Sequence, residues 1–454
     1  MKRVVWFFLL LGLISCGGQA VEETAVPPSA TPPEATATAP PTATPLPEPT
    51  ETPPPTATES ESVVAQESSP TQTPVPPTPT SEFVVLTATP SVNVPAVERV
   101  AIAAVEQPPY AESDCSDKYP CNEDVAAWEA RVQVPDGFKA AYFARVEGSP
   151  TTMTFGPDGL LYVAVLDGTL YTIDGQGSVE TFFTGLQVPT GMAFQPGTDN
   201  LYISDRVINE SVNGESQVSL LRDGELRQIV GGLPCCYAGL HAANGIAFGP
   251  DGYGYVSVGG RADHGEILLE GETKGQQDEL HPLEAAIVRF HPDGSDVEVY
   301  AQGLRNAYDL AWDGNGRLFA IDNAPDYGPP EEFHLVEPGG QHGYPWYECD
   351  DCFAAPADVD VIEPLHTFIP HAAPTGVTTY LAEQFPGFYN GIFVVLWSAF
   401  PGAQKVVYFD AGGANPTDFA TGFALPIDAV VGPDGSLYVV DYATGVIFRI
   451  DYQG

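Results

Sequence analysis

Phe155-Gly156-Pro157-Asp158-Gly159-Leu160-Leu161-Tyr162-Val163 is the stretch that decides how this chain folds. It reads as a strand, a tight Asp-Gly turn and a second strand. Glycine tolerates positive φ and the Asp carboxylate can bond its own backbone, so the pair suits a hairpin. The phrase returns as Phe194-Gln195-Pro196 leading to Leu201-Tyr202-Ile203, then over 248–257, 312–320 and 431–440. A repeat that must stack on its neighbours to bury both faces implies a solenoid or a closed ring of sheets.

Counted along the chain, the copies predict an all-β fold: a six-bladed β-propeller of four-stranded antiparallel blades over residues 125–454. The first blade centres on 151–183, the second spans 190–230, and the third starts at 245. The fourth starts at Ala307. A less regular fifth includes 391–397 and 405–409, and the sixth holds 427–450. Residues 446–450 are expected to pair with a strand near 138–143, which closes the ring and removes its edges. Long inserts, 261–283 and 324–386, are expected after the third and fourth blades, roofing one end of the channel. Loops built on Gly185-Leu186, Gly232-Leu233 and Gly303-Leu304 lead from one blade to the next at the channel mouth.

The chain ahead of the propeller reads differently. Residues 1–15 have the form of an export signal: Lys2 and Arg3, then an apolar run from Val4 to Ile14. Leu13-Ile14-Ser15-Cys16 resembles a bacterial lipobox, which implies cleavage before Cys16 and lipidation of its thiol. Residues 16–98 are rich in Pro and Thr, have little to bury, and predict a disordered, extended tether. Residues 99–124 form a lead-in. The expected location is extracytoplasmic, with the membrane reached only through the N-terminal lipid.

Seventeen basic against 60 acidic residues give a formal net charge of -43, which argues against nucleic acid as a partner. Export permits disulfides, and the cysteines fall in local pairs: Cys115 with Cys121, Cys235 with Cys236, Cys349 with Cys352. Phe353 stands where haem c attachment at the last pair would require a histidine.

Four stretches carry a family resemblance: 241–259, Gly303-Leu304-Arg305-Asn306, 322–346 and His371-Ala372-Ala373-Pro374. Most specific is Val336-Glu337-Pro338-Gly339-Gly340-Gln341-His342-Gly343-Tyr344-Pro345-Trp346. Over about 130–453 the chain resembles the glucose/sorbosone dehydrogenases, six-bladed quinoproteins that hold pyrroloquinoline quinone (PQQ) with Ca²⁺. The resemblance implies His241 as the catalytic base, and Arg305 beside it to meet charge developing on the quinone. It implies Arg305, Asn306, Tyr308, His371 and Lys405 around the cofactor. The main-chain oxygens of Ala324 and Pro325 would be calcium ligands, with Asp326 in support. Imidazole suits proton transfer near neutral pH, and guanidinium suits a tricarboxylate.

The implied activity is oxidation of a sugar, aldose or related polyol, with electrons leaving to an external acceptor. The stretch 397–405 lacks the arginine that family members often carry there. That departure keeps open a non-catalytic, calcium-stabilised propeller that binds glycans or other extracellular ligands. A lactonase-type hydrolase would need a ring of carboxylates and Asn around one metal, and no such ring can be assigned.

Overall fold

A computed structural model describes residues 125–210, 214–237, 241–269, 272–276, 280–326, 328–347 and 353–454. The export signal, lipidation site, tether and lead-in lie outside these residues, as do Cys115, Cys121, Cys349 and Cys352.

A short helix α1 (Val125–Arg131) precedes β1 (Phe138–Arg145). Blade one is β2 (Pro150–Phe155), β3 (Leu161–Val165), β4 (Thr169–Ile173) and β5 (Val179–Thr184). Blade two is β6 (Gly191–Phe194), β7 (Leu201–Ile208), β8 (Gly214–Arg222) and β9 (Glu225–Cys235). Blade three is β10 (Ala243–Phe248), β11 (Gly254–Val258), β14 (Ala286–Phe290) and β15 (Glu298–Gln302), with the hairpin β12 (Glu266–Leu269) and β13 (Glu272–Gln276) inserted midway. Blade four is β16 (Ala307–Trp312), β17 (Leu318–Asp322), β18 (Glu331–Val336) and β19 (His366–Phe368). Blade five is β20 (Pro374–Thr379), β21 (Ile392–Leu396), β22 (Lys405–Phe409) and β23 (Thr417–Thr421). Blade six is β24 (Pro426–Val431), β25 (Leu437–Asp441), β26 (Val446–Tyr452) and β1.

All blades are antiparallel, and the first strand of each packs on the first strand of the next around the ring. Closure is as expected: β1 pairs with β26, Phe138 opposite Tyr452 and Tyr142 opposite Phe448. The apolar core lies in the seams between blades. Phe290 and Val256 of blade three meet Tyr202 and Val218 of blade two, and Ile447 and Val440 of blade six meet Val163 of blade one.

The repeated phrase has a reason beyond its turn. Asp158, Asp251 and Asp434 each accept a hydrogen bond from the tyrosine hydroxyl four residues on: Tyr162 at 2.9 Å, Tyr255 at 2.8 Å and Tyr438 at 3.0 Å. The first glycine of the phrase makes room for that ring. A Cβ on Gly249 would lie 2.7 Å from the Tyr255 ring. The second glycine, Gly252, sits at φ +83°, where a side chain is strained.

The two long inserts are placed differently from expectation. Residues 261–283 fall inside blade three, between its second and third strands. Residues 324–386 contain both outer strands of blade four and the innermost strand of blade five. Both strand sets were hidden for physical reasons. β18 opens on two glutamates, and β20 opens on Pro374 with Gly376 two residues on, and Glu, Pro and Gly are depleted in strands.

Candidate active site

The site gathers where blades three and four meet, and a glycine pair makes the meeting possible. Gly259 and Gly260 follow β11. A Cβ on Gly259 would stand 2.6 Å from Asn306 Oδ1 and 2.8 Å from His241 Cβ. A Cβ on Gly260 would press on the Tyr344 ring at 3.0 Å, and the Gly260 N–H donates to the Arg305 carbonyl at 2.6 Å. Three expected site residues, His241, Arg305 and Asn306, therefore converge on one backbone wedge.

His241 is buried, and its Nδ1 lies 2.8 Å from the carbonyl oxygen of Gly260. A carbonyl can only accept, so Nδ1 carries the proton and Nε2 keeps its lone pair. Burial first, and then the charge of Arg305, hold the imidazole pKa well below its usual value. His241 is held as a neutral imidazole of fixed tautomer.

Arg305 is buried and heavily engaged. Nε donates to the Asp263 carbonyl at 2.8 Å and Nη2 to Asp263 Oδ1 at 2.5 Å. Nη1 donates to the carbonyls of Asn323 and Ala324 at 2.8 and 2.9 Å. A guanidinium has five N–H donors, so one, on Nη2, is not accounted for by these bonds. Asn306 accepts from Asn244 Nδ2 at 2.9 Å.

Asp322, at the end of β17, aims this loop. Its two carboxylate oxygens accept the backbone N–H groups of Arg305 and Asn306 at 2.7 and 2.6 Å. Asp205 within β7 and Asp441 at the end of β25, on the second strands of their own blades, do the same for Gln187 at 3.3 Å and for Ala424 and Leu425 at 2.8 Å. This device was legible as an aspartate four residues after the leucine in three of the Leu-Tyr-Val type strands, at Asp205, Asp322 and Asp441, but it was not singled out in the sequence.

The remaining expected residues are more scattered. The Ala324 carbonyl already accepts from Arg305, while its N–H donates to Glu331 Oε2 at 2.9 Å. The Asp326 N–H donates to Asp263 Oδ1 at 3.0 Å, and its carboxylate lies 3.9 Å from Nδ1 of His371. His371 stacks on exposed Phe400, ring centroids 5.2 Å apart. Tyr308 is buried in the channel near Arg206, and burial pushes its hydroxyl pKa up. Lys405 lies on the third strand of blade five, with Nζ 2.8 Å from Asp418. The sulfurs of Cys235 and Cys236 are in bonding contact, buried together with Ala242 beside His241.

Sequence reasoning missed Asp263, the main partner of Arg305. It follows the glycine pair as Arg261-Ala262-Asp263, inside a stretch read as insert. It also missed the acids along the channel. Asp309 on β16 accepts the Val377 N–H and Asp428 on β24 accepts the Met153 N–H, at 2.9 and 2.8 Å, each linking its blade to the next. Burial pushes the Asp309 carboxyl up to about 7, and burial together with the Asp309 charge pushes Asp428 well up.

The model of the family described as Glucose / Sorbosone dehydrogenase matches residues 204–449, more than half of the chain. The chain belongs to the glucose/sorbosone dehydrogenase family. An uncharacterized protein of Borreliella burgdorferi is 22% identical over 363 residues, covering 71% of this chain and 91% of that protein. Among solved structures, the PQQ-bound aldose sugar dehydrogenase of Streptomyces coelicolor is 19% identical with a TM-score of 0.53, covering 70% of this chain and 99% of that one. The apo-form soluble aldose sugar dehydrogenase of Escherichia coli is 16% identical with a TM-score of 0.56, covering 69% and 99%. At these identities the likeness is one of fold. It agrees with the family assignment.

Proposed function

We propose that the protein oxidises an exposed hydroxyl or hemiacetal of a sugar or polyol, with His241 taking the hydroxyl proton on Nε2. The supporting observation is the Nδ1 contact to Gly260 in a buried ring that stays neutral. A base must be unprotonated and within reach of the reacting hydroxyl, and proton transfer of this kind contributes about 10²- to 10⁴-fold. Arg305 sits near enough to keep His241 neutral, and it is held rigidly by Asp263. A donor fixed beforehand meets developing negative charge without reorganisation.

PQQ with calcium is the proposed cofactor, and when bound it supplies the hydride acceptor. The residues fit it through charge. Asp263, Asp326 and Glu331 around the 322–326 loop favour a divalent cation, and that cation offsets their repulsion of a tricarboxylate. Ala324 and Pro325 would offer carbonyl oxygens to the ion, since a carbonyl that accepts once retains a second lone pair. Arg305 and Asn306 would hold the cofactor from the blade-four side. Tyr308 and His371 are proposed as its further neighbours, and Lys405 as a more distant source of charge. The acceptor of the electrons is proposed to be external. We also propose lipidation at Cys16, a disulfide between Cys235 and Cys236, and the same pairing for Cys115 with Cys121 and Cys349 with Cys352.

The test is calorimetric titration of the calcium-loaded protein with PQQ, followed by dye reduction across a panel of sugars. Saturable binding with sugar-dependent reduction is the expected result, and absence of both removes the reading. A non-catalytic glycan-binding propeller is the second reading. It is favoured by the ion pair of Lys405 with Asp418 and by the exposed Phe400 ring stacked on His371.

A further inference from the structure

Behind the loop that carries Arg305 lies a set of buried groups that the proposed oxidation does not use. Asp322 ends β17 and stands directly across the ladder from Glu332 on β18. His334 follows two residues after Glu332, on the same face of that strand. One ligand atom from each of Asp322, Glu332 and His334 lies within 4.8 Å of the others, and all three residues are buried. His334 Nε2 is 3.1 Å from Glu332 Oε2, and its Nδ1 is 3.3 Å from Nδ1 of His342, itself buried.

Two carboxylates placed together out of water need a counter-charge. Arg305 is turned to Asp263 and to two carbonyls. A further buried polar group lies in the same neighbourhood. The Tyr347 hydroxyl oxygen is buried near Asp322, Glu332 and Arg305, and among the described residues it has no hydrogen-bond partner.

We propose that Asp322, Glu332 and His334 bind a divalent first-row transition ion of the zinc type, separate from any calcium at Ala324 and Pro325. One imidazole nitrogen and two carboxylate oxygens are donors that zinc accepts, and the two carboxylates balance its charge. Tetrahedral bonds of about 2.0–2.1 Å put ligand atoms roughly 3.3 Å apart, so the pair at 3.1 Å is already at that spacing and the widest separation need close by at most about 1.5 Å. His342 supplies the outer contact. With its Nδ1 accepting the Nδ1 proton of His334, Nε2 of His334 is left bare for the ion, as outer partners of metal-bound histidines do. A water completes the shell. Asp322 also holds the N–H groups of Arg305 and Asn306, so the ion would stiffen the loop on which these two residues stand.

The experiment uses the full chain, stripped with chelator and titrated with zinc in excess calcium and without PQQ, so its outcome is independent of the cofactor. The expected result is one equivalent of zinc bound at least 100-fold more tightly than calcium. His334→Asn and Glu332→Gln should each weaken zinc at least 100-fold, and His342→Phe about 10- to 100-fold. Cobalt(II) in place of zinc should give visible bands of a low-coordinate site containing a histidine, lost in His334→Asn. Melting curves show which variants fold, and if His334→Asn does not, the other two decide. Zinc affinity unchanged in the folded variants overturns the proposal. So does a cobalt spectrum of an all-oxygen octahedral site in the unaltered chain.

Discussion

At the scale of single residues, the site turns on one carbonyl and one carboxylate. The Gly260 carbonyl fixes which nitrogen of His241 is protonated, and Asp322 fixes where the Arg305 backbone stands. His241→Ala should therefore lower dye-reduction turnover about 10²- to 10⁴-fold while PQQ affinity, read by calorimetry, stays within a few-fold. The buried ring resists protonation, so the acid limb of kcat/KM should fall below the usual histidine value of about 6.5. A limb at or above that value would mean that His241 is not the titrating base. Arg305→Ala should damage more than the site. It leaves Asp263 buried without its guanidinium, which costs about 3–5 kcal/mol when an internal pair is broken, and a denaturant titration would read the loss. His241, Arg305 and Asn306 were legible because their types and loop positions advertise chemistry. Asp263 and Asp322 were not, because a carboxylate that holds another residue in place looks in sequence like any solvated acid.

At the scale of elements, the propeller depends on its seams and on the polar ties between innermost strands. Phe448 on β26 is fully buried between the closing strand and its neighbours, and Phe448→Ala should cost about 3–5 kcal/mol by denaturant unfolding. Asp309 ties β16 to β20. Its carboxyl titrates near 3.8 in the unfolded chain and near 7 when folded. Between these values the folded state binds more protons, so this group's contribution is fully present below the lower value and is lost as pH rises through about 7. Asp309→Asn, which keeps an oxygen for the Val377 N–H, should flatten the fall in stability between about pH 4 and 7. A slope equal to that of the unaltered protein would contradict it. Elements that repeat the Asp-Gly phrase were visible from sequence because turn chemistry and alternation agree in them. β18 and β20 were not, because one opens on paired glutamates and the other on Pro-Thr-Gly. Tertiary burial, absent from local pattern, makes them strands.

For the whole molecule, the net charge of -43 sets a self-repulsion that added salt screens. The melting temperature should rise from low ionic strength to about 0.5 M sodium chloride, followed by calorimetry. A fall over that range would show that attractive ion pairs outweigh the repulsion. Closure by β1 has a further consequence, mechanical in kind. Phe138 faces Tyr452, and the Gln453 N–H donates to the Gly137 carbonyl at 2.7 Å, so the chain enters and leaves the ring at the same end of one ladder. A load drawn between Gly137 and a partner fused after Gly454 meets the β1–β26 bonds one at a time, as a zip, and never all together in shear. Held by its two ends, the ring would yield first at its own clasp, at low force, while the same pull applied across any other blade would have to break several bonds at once.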